Sequence, residues 1–64
     1  MKNRIIEIRN ELTEMKSKLN IQISENMKDK KKLKLLSFAV NYIQGAERSI
    51  DEVVWYLNRL EEIQ

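Results

Sequence analysis

The side chains that could do chemistry in this sequence are carboxylates and lysines, because the chain contains no histidine and no cysteine. Their absence excludes a histidine-based proton relay, a cysteine nucleophile and a thiolate metal site. The Glu-x-x-His pairs that hold two metal ions in helical bundles are missing for the same reason, and the sequence has no glycine-rich phosphate loop. We therefore predict a protein that is not an enzyme and uses no cofactor.

Five acidic residues form the pattern nearest to a cation site. Glu7, Glu11 and Glu14 fall on one flank of a predicted first helix, and Asp51 and Glu52 could approach that flank from a second helix. Clustered carboxylates bind hard cations. These positions, however, flank the apolar seam of the helices and do not point into it, and a nearby arginine can neutralise the second pair. We predict no metal site.

A run of lysines within residues 28–34 is the second pattern with chemical meaning. One interpretation is contact with nucleic-acid phosphates, and the other is a solvated turn that keeps the protein soluble. No arginine or aromatic residue interleaves the lysines, although such residues are typical of single-strand binding. The five residues are Lys28, Lys30, Lys31, Lys32 and Lys34.

Aromatic residues near the end of the chain form a third candidate site. Trp55 and Tyr56 are adjacent, and these residue types are enriched at binding hot spots because they combine a large apolar area with a polar group. Arg59 follows one helical turn later and could stack on the Trp55 ring. Packing in a bundle or dimer core is the alternative. The predicted protein-interaction residues are Trp55, Tyr56, Arg59, Leu60 and Ile63.

Two helices joined by a short turn are the elements that position these side chains. The chain has no proline and only one glycine, which favours long helices. Apolar residues recur at spacings of three and four on both sides of the lysine run, where Asn26 and Asp29 are typical turn or cap residues. The sequence predicts a single all-α domain over residues 1–64, with a helix over 3–27, a turn over 28–31 and a longer helix over 32–63.

The second helix carries an unbroken heptad pattern. Every a and d position between residues 36 and 60 is apolar, which is typical of a helix in a coiled coil or bundle. The small d residues Ala39 and Ala46 would let a neighbouring helix approach closely. We predict that this seam forms a core within one chain or between two copies. Its members are Leu36, Ala39, Ile43, Ala46, Ile50, Val53, Leu57 and Leu60.

Gly45 leaves two architectures open. It could end a helix, with residues 49–52 opening a third helix and a three-helix bundle as the result. The heptad pattern nevertheless keeps its phase across Gly45, which lies at a surface position where glycine is tolerated. We favour one continuous helix and an antiparallel hairpin, with the end of the longer helix overhanging from about residue 55.

Chain length and charge distribution favour self-association. Sixty-four residues without a disulfide or metal bury little apolar surface as a single hairpin. Residues 1–34 carry a net charge of +5 and residues 35–64 a net charge of −3, so the two halves, or two copies head to tail, would attract each other. We predict a homodimer that forms a four-helix bundle. In architecture alone, such a protein resembles the plasmid copy-number regulators that bind paired RNA loops.

These observations predict a class of function and not a particular activity. We expect a small non-catalytic regulator or inhibitor that binds itself and another protein through helix faces, and the alternative is a dimeric RNA- or DNA-binding regulator that uses the lysine run. The longest apolar-rich stretch is too short to span a bilayer, so we expect no membrane contact and a cytoplasmic location. The Lys- and Asn-rich composition is typical of AT-rich bacterial or phage genomes.

Overall fold

The computed structural model describes residues 1–63, which form two α-helices packed against each other as an antiparallel hairpin. Helix α1 comprises Lys2–Glu25 and helix α2 comprises Lys30–Ile63. The hairpin measures 54 × 15 × 11 Å, and its long dimension matches the ~51 Å expected for a 34-residue helix. The predicted all-α hairpin with a longer second helix is confirmed.

Capping residues define the connection between the helices. The Asn26 side chain donates to the Gln22 carbonyl at 2.7 Å, and its backbone N–H also bonds within the last turn of α1. Asp29 Oδ1 accepts the Lys32 N–H at 3.1 Å, which is the N-cap bond of α2. The cap roles predicted for Asn26 and Asp29 are confirmed. Asn26 caps the end of α1 and Asp29 caps the start of α2. Helix α1 therefore ends at Glu25 and α2 begins at Lys30, each two residues earlier than the sequence pattern indicated.

The register of the hairpin brings the start of α1 close to the end of α2. Lys2 Nζ donates to Asn58 Oδ1 at 2.9 Å and contacts Glu61 Oε2 at 3.2 Å. The overhang expected from about residue 55 is therefore shorter, and that expectation was wrong. At the end of the hairpin that carries the connection, Asn26 and Lys32 line the same groove. The connection lies beside the first turn of α2, which displaces α1 towards the far end of α2.

The two helices meet along a seam that is only half-buried. None of the apolar side chains among residues 1–63 is fully buried. The half-buried or buried positions of α2 that follow a spacing of three and four are Leu33, Leu36, Val40, Ile43, Glu47, Ile50, Val54 and Leu57. The corresponding positions of α1 are Ile5, Arg9, Leu12, Lys16, Leu19 and Ile23. The seam is thus apolar towards its ends and polar at its centre.

The predicted seam of α2 overlaps this contact seam only in part. Four of its members, Leu36, Ile43, Ile50 and Leu57, are half-buried contact positions in the hairpin. The other four lie on the adjacent side of α2. Among them Ala39 and Ala46 are half-buried, whereas Val53 is 43% exposed and Leu60 is 52% exposed.

Helix α2 passes through Gly45 without a break. The residue has no positive φ, and a Cβ atom added to it would meet no atom within 4 Å. Glycine in a helix interior costs about 1 kcal/mol relative to alanine because it loses more backbone freedom on folding. The structure therefore offers no compensation for this cost within one hairpin.

Gly45→Ala is expected to raise the free energy of unfolding by up to about 1 kcal/mol. Urea denaturation followed by circular dichroism would measure the change. The neighbouring exposed residue Gln44 provides the control, since glutamine and alanine differ less in helix propensity and Gln44→Ala should change stability less. Destabilisation by Gly45→Ala would contradict the continuous helix and favour a left-handed cap at this position.

Candidate interaction surface

The centre of the hairpin contains a buried carboxylate. Glu47 is 5% exposed, and it is the one buried side chain in the described part of the chain. Its carboxylate accepts hydrogen bonds from the Thr13 hydroxyl and from Lys16 Nζ, the latter at 2.6 Å. One turn further along α2, Asp51 forms a two-bond ion pair with the Arg9 guanidinium. All of these contacts join α1 cations or hydroxyls to α2 anions.

These contacts favour the charged forms of the groups involved. The hydrogen bond from Lys16, followed by that from Thr13, holds the pKa of Glu47 below its ordinary value despite the opposing effect of burial. The hydrogen bond from Arg9 likewise lowers the pKa of Asp51, and the same pair raises the pKa of Arg9. Glu47 and Asp51 therefore stay ionised near neutral pH and form ion pairs that fix the register of the hairpin, so neither carries a proton to donate there.

The attraction predicted between the basic and acidic parts of the chain is confirmed by these pairs. Lys2–Glu61, Arg9–Asp51 and Lys16–Glu47 each join a cation of α1 to an anion of α2. Glu47 was not among the residues predicted to form a site. The signal was its spacing, because residue 47 follows residue 43 by four and precedes residue 50 by three, which places it in line with half-buried leucines and isoleucines.

The acidic residues considered as a cation site are dispersed. Glu7 lies 3.2 Å from Arg4 within α1, whereas Asp51 is paired with Arg9 across the hairpin. Glu11, Glu14 and Glu52 are exposed. No three acidic side chains within residues 1–63 come together as a candidate metal site.

A line of mostly apolar residues, exposed except at the half-buried Ala39 and Ala46, runs along α2 beside the contact seam. The members from Leu35 to Tyr56 each directly precede a residue of the contact seam, and Leu60 directly precedes Glu61, which pairs with Lys2, so the line repeats the heptad spacing about 100° around the helix. Tyr42 is 79% exposed and Ile63 is 82% exposed, and Ser49 is the single polar member. We call this line the apolar stripe. Its members are Leu35, Ala39, Tyr42, Ala46, Ser49, Val53, Tyr56, Leu60 and Ile63.

Helix α1 contributes to the same face of the hairpin. Ile8 and Met15 directly precede the contact residues Arg9 and Lys16, as Ala46 directly precedes Glu47. In two antiparallel right-handed helices, a step back of one residue on each helix turns towards the same side of the pair. Met15 is 52% exposed. One face of the hairpin therefore carries apolar side chains from both helices.

The aromatic candidate site is divided between two sides of α2. Tyr56, Leu60 and Ile63 belong to the apolar stripe, whereas Trp55 and Arg59 lie on the neighbouring side of the helix. The Arg59 guanidinium stands 5.4 Å from the centre of the Trp55 ring, which confirms the stacking expected from their spacing. The centres of the Trp55 and Tyr56 rings lie 5.0 Å apart in an edge-to-face arrangement, so the two sides of α2 are in contact through these rings.

The lysine run lies fully on the surface. Lys28 belongs to the connection, and the other four lysines lie in the first two turns of α2, where all are exposed. The ion pairs found within residues 1–63 use other cations. Positive side chains in a first turn are unfavourable for their own helix dipole, and the N-cap residue Asp29, directly before them, supplies a negative charge at this end of α2.

Comparisons of this chain with protein-family models, with curated proteins and with solved structures find no match. Neither of its two helices, as far as residue 63, is long and apolar enough to cross a membrane.

Proposed function

We propose that this protein is a non-catalytic helical regulator or inhibitor that binds another protein through its helix faces and that also self-associates. The main support is the exposure of the apolar side chains, because the hairpin has no fully buried apolar residue in its described part and leaves a long apolar stripe in water. Exposed apolar patches of this kind are typical of interaction surfaces.

The partner surface in this proposal is the C-terminal part of α2. Trp55 is 55% exposed and Tyr56 is 62% exposed, and the stacked Arg59 adds a charged group beside an aromatic ring. Aromatic residues and arginine are the side chains that contribute most to protein interfaces. Leu60 and Ile63 extend the apolar area of the same segment.

The second candidate function is a dimeric RNA- or DNA-binding regulator. The observation that favours it is the exposure of all five lysines in residues 28–34 without an ion pair within the described chain. Phosphate contacts would make binding fall steeply with salt concentration. Apolar docking through the C-terminal surface would respond little to salt, so the two functions make opposite predictions.

Affinity capture from the native cell with matched bait proteins would test the proposal. The wild-type chain is expected to retain a protein partner at high salt and after nuclease treatment. Trp55→Ala is expected to reduce the captured partner at least about tenfold, as for a typical hot-spot residue. The control is Ile21→Ala, because Ile21 is equally exposed on α1 and lies outside the proposed surface.

A triple variant with Lys30, Lys31 and Lys32 changed to glutamate separates the two candidate functions. Retention of the partner by this variant supports protein binding through the C-terminal surface. Loss of binding with the triple variant, together with release of the captured species by nuclease or moderate salt, would overturn the proposal in favour of nucleic-acid binding.

A further inference from the structure

The apolar stripe continues along most of α2, and one hairpin covers it only in part, at the half-buried Ala39 and Ala46. From Leu35 to Ile63 it extends ~42 Å at 1.5 Å per residue, which amounts to four heptads. Its exposed members include Leu35 at 64% and Val53 at 43%. A partner for this stripe must therefore present a long helix with an apolar line of similar length.

We infer that the occupant of the apolar stripe is a second copy of this chain, with the two α2 helices antiparallel and the twofold axis near Ala46. The inference deepens the proposed function and rests on its premise that the stripe is a binding surface. In this arrangement the two hairpins form a four-helix bundle. Ile8 and Met15 lie on the same face and would flank the central contact.

The order of large and small residues supports this register. With Ala46 opposite its own copy, the small Ala39 lies opposite Val53 of the second copy, and the large Tyr42 lies close to the small Ser49. Pairing large with small residues fills the space between two helices evenly. The small side chain at position 46 and the glycine before it allow the helices to approach most closely where they cross.

Charge complementarity supports the antiparallel direction. Residues 30–46 contain four lysines and no acid, whereas residues 47–63 contain five acids and two arginines, a net charge of −3. An antiparallel pair places the basic end of each α2 beside the acidic end of the other, and a parallel pair would place like charges together. The lysines that are unfavourable for their own helix dipole would then lie near the negative C-terminal end of the second α2.

The inferred dimer also separates two surfaces of the chain. It covers stripe members such as Tyr56 and Leu60, so within the dimer the part of the partner surface that stays exposed is Trp55 and Arg59, on the neighbouring side of α2. Each dimer would therefore present two Trp55–Arg59 pairs, related by the twofold axis, to another protein.

Single cysteines test the inference, because the chain has no natural cysteine. Sedimentation equilibrium should first give twice the chain mass of 7.7 kDa. Under mild oxidation, Ala46→Cys should form a disulfide-linked dimer rapidly. Ala39→Cys alone should not, because its two copies would be separated by ~21 Å along the helix axis, far beyond disulfide reach. The double variant with Ala39→Cys and Val53→Cys should cross-link again.

Asn41→Cys is the control, because Asn41 is more exposed in one hairpin than the half-buried Ala46 but lies about 100° around the helix from Tyr42, outside the stripe. It should cross-link at least about tenfold more slowly than Ala46→Cys. A monomer at micromolar concentration would overturn the inference and leave the proposed binding of another protein in place, with the stripe free for it. A dimer in which Ala39→Cys cross-links as fast as Ala46→Cys would overturn the antiparallel arrangement.

Discussion

Val53→Glu is expected to abolish self-association of this protein at micromolar concentration. Val53 lies in the apolar stripe, two turns from Ala46 and 43% exposed in one hairpin, and the inferred dimer would cover it. Each dimer contains the substitution twice, so two unpaired carboxylates would be moved out of water on association. Unpaired buried charges are strongly unfavourable, and we expect the dissociation constant to rise at least about 100-fold, the equivalent of ~2.8 kcal/mol. Sedimentation equilibrium would measure it.

Two further measurements make the Val53→Glu result specific to the stripe. Asn41→Glu introduces the same charge at an exposed position of α2 outside the stripe, and it should leave the dissociation constant nearly unchanged. Circular dichroism should show that both variants remain helical at the concentration used. If Val53→Glu self-associates as tightly as the wild type, the stripe does not form the dimer contact.

Glu47→Lys is expected to have the largest effect on the stability of the hairpin. The wild-type carboxylate accepts hydrogen bonds from Thr13 and Lys16 in the most buried position of the described chain. A lysine there would face Lys16 with a like charge and would leave Lys16 without its carboxylate partner, and such unpaired charges in a packed seam are costly. We expect the melting temperature to fall on the order of 10 °C, measured by circular dichroism.

A charge exchange distinguishes the ion pair from general disturbance of the seam. The double variant Lys16→Glu with Glu47→Lys restores opposite charges and should recover part of the lost stability, whereas the two single changes should each destabilise. Glu14→Lys provides the control, because Glu14 is exposed on α1. A double variant no more stable than Glu47→Lys alone would show that the Lys16–Glu47 pair does not act as a unit.

The pH dependence of stability provides an independent measure of the same contact. Both carboxylates of the polar centre have pKa values below their ordinary values, which are 4.5 for Glu47 and 3.8 for Asp51. As the pH falls, these two carboxylates therefore bind protons at a higher pH in the unfolded chain than in the folded chain. Their stabilisation is complete above the ordinary pKa values and is lost below them, as the pH passes through the lowered values. Glu47→Gln should reduce this acid dependence, and an unchanged profile would contradict the assignment.

The sequence alone determined the features of this protein that depend on neighbouring residues. The absence of proline and the recurrence of apolar residues at three and four predict two long helices. Asn26 and Asp29 act within their own turns, so their cap roles could be predicted without the fold. The stacking of Arg59 on Trp55 is likewise a contact between residues one turn apart on a single helix.

Tertiary structure decided which side of α2 faces α1. Two adjacent lines of residues on α2 with heptad spacing could form the contact with α1. Both lines include Leu36, Ile43, Ile50 and Leu57. The first line also contains Ala46, and the second contains Glu47 in its place. Hydrophobicity alone favoured the line through Ala46. The packed hairpin instead places Glu47 against α1, because Thr13 and Lys16 satisfy its carboxylate there, and that choice leaves Val53 and Leu60 exposed. Which line faces α1 depends on the register between the two helices. The connection at residues 26–29 sets that register, and the local periodicity of either helix does not specify it.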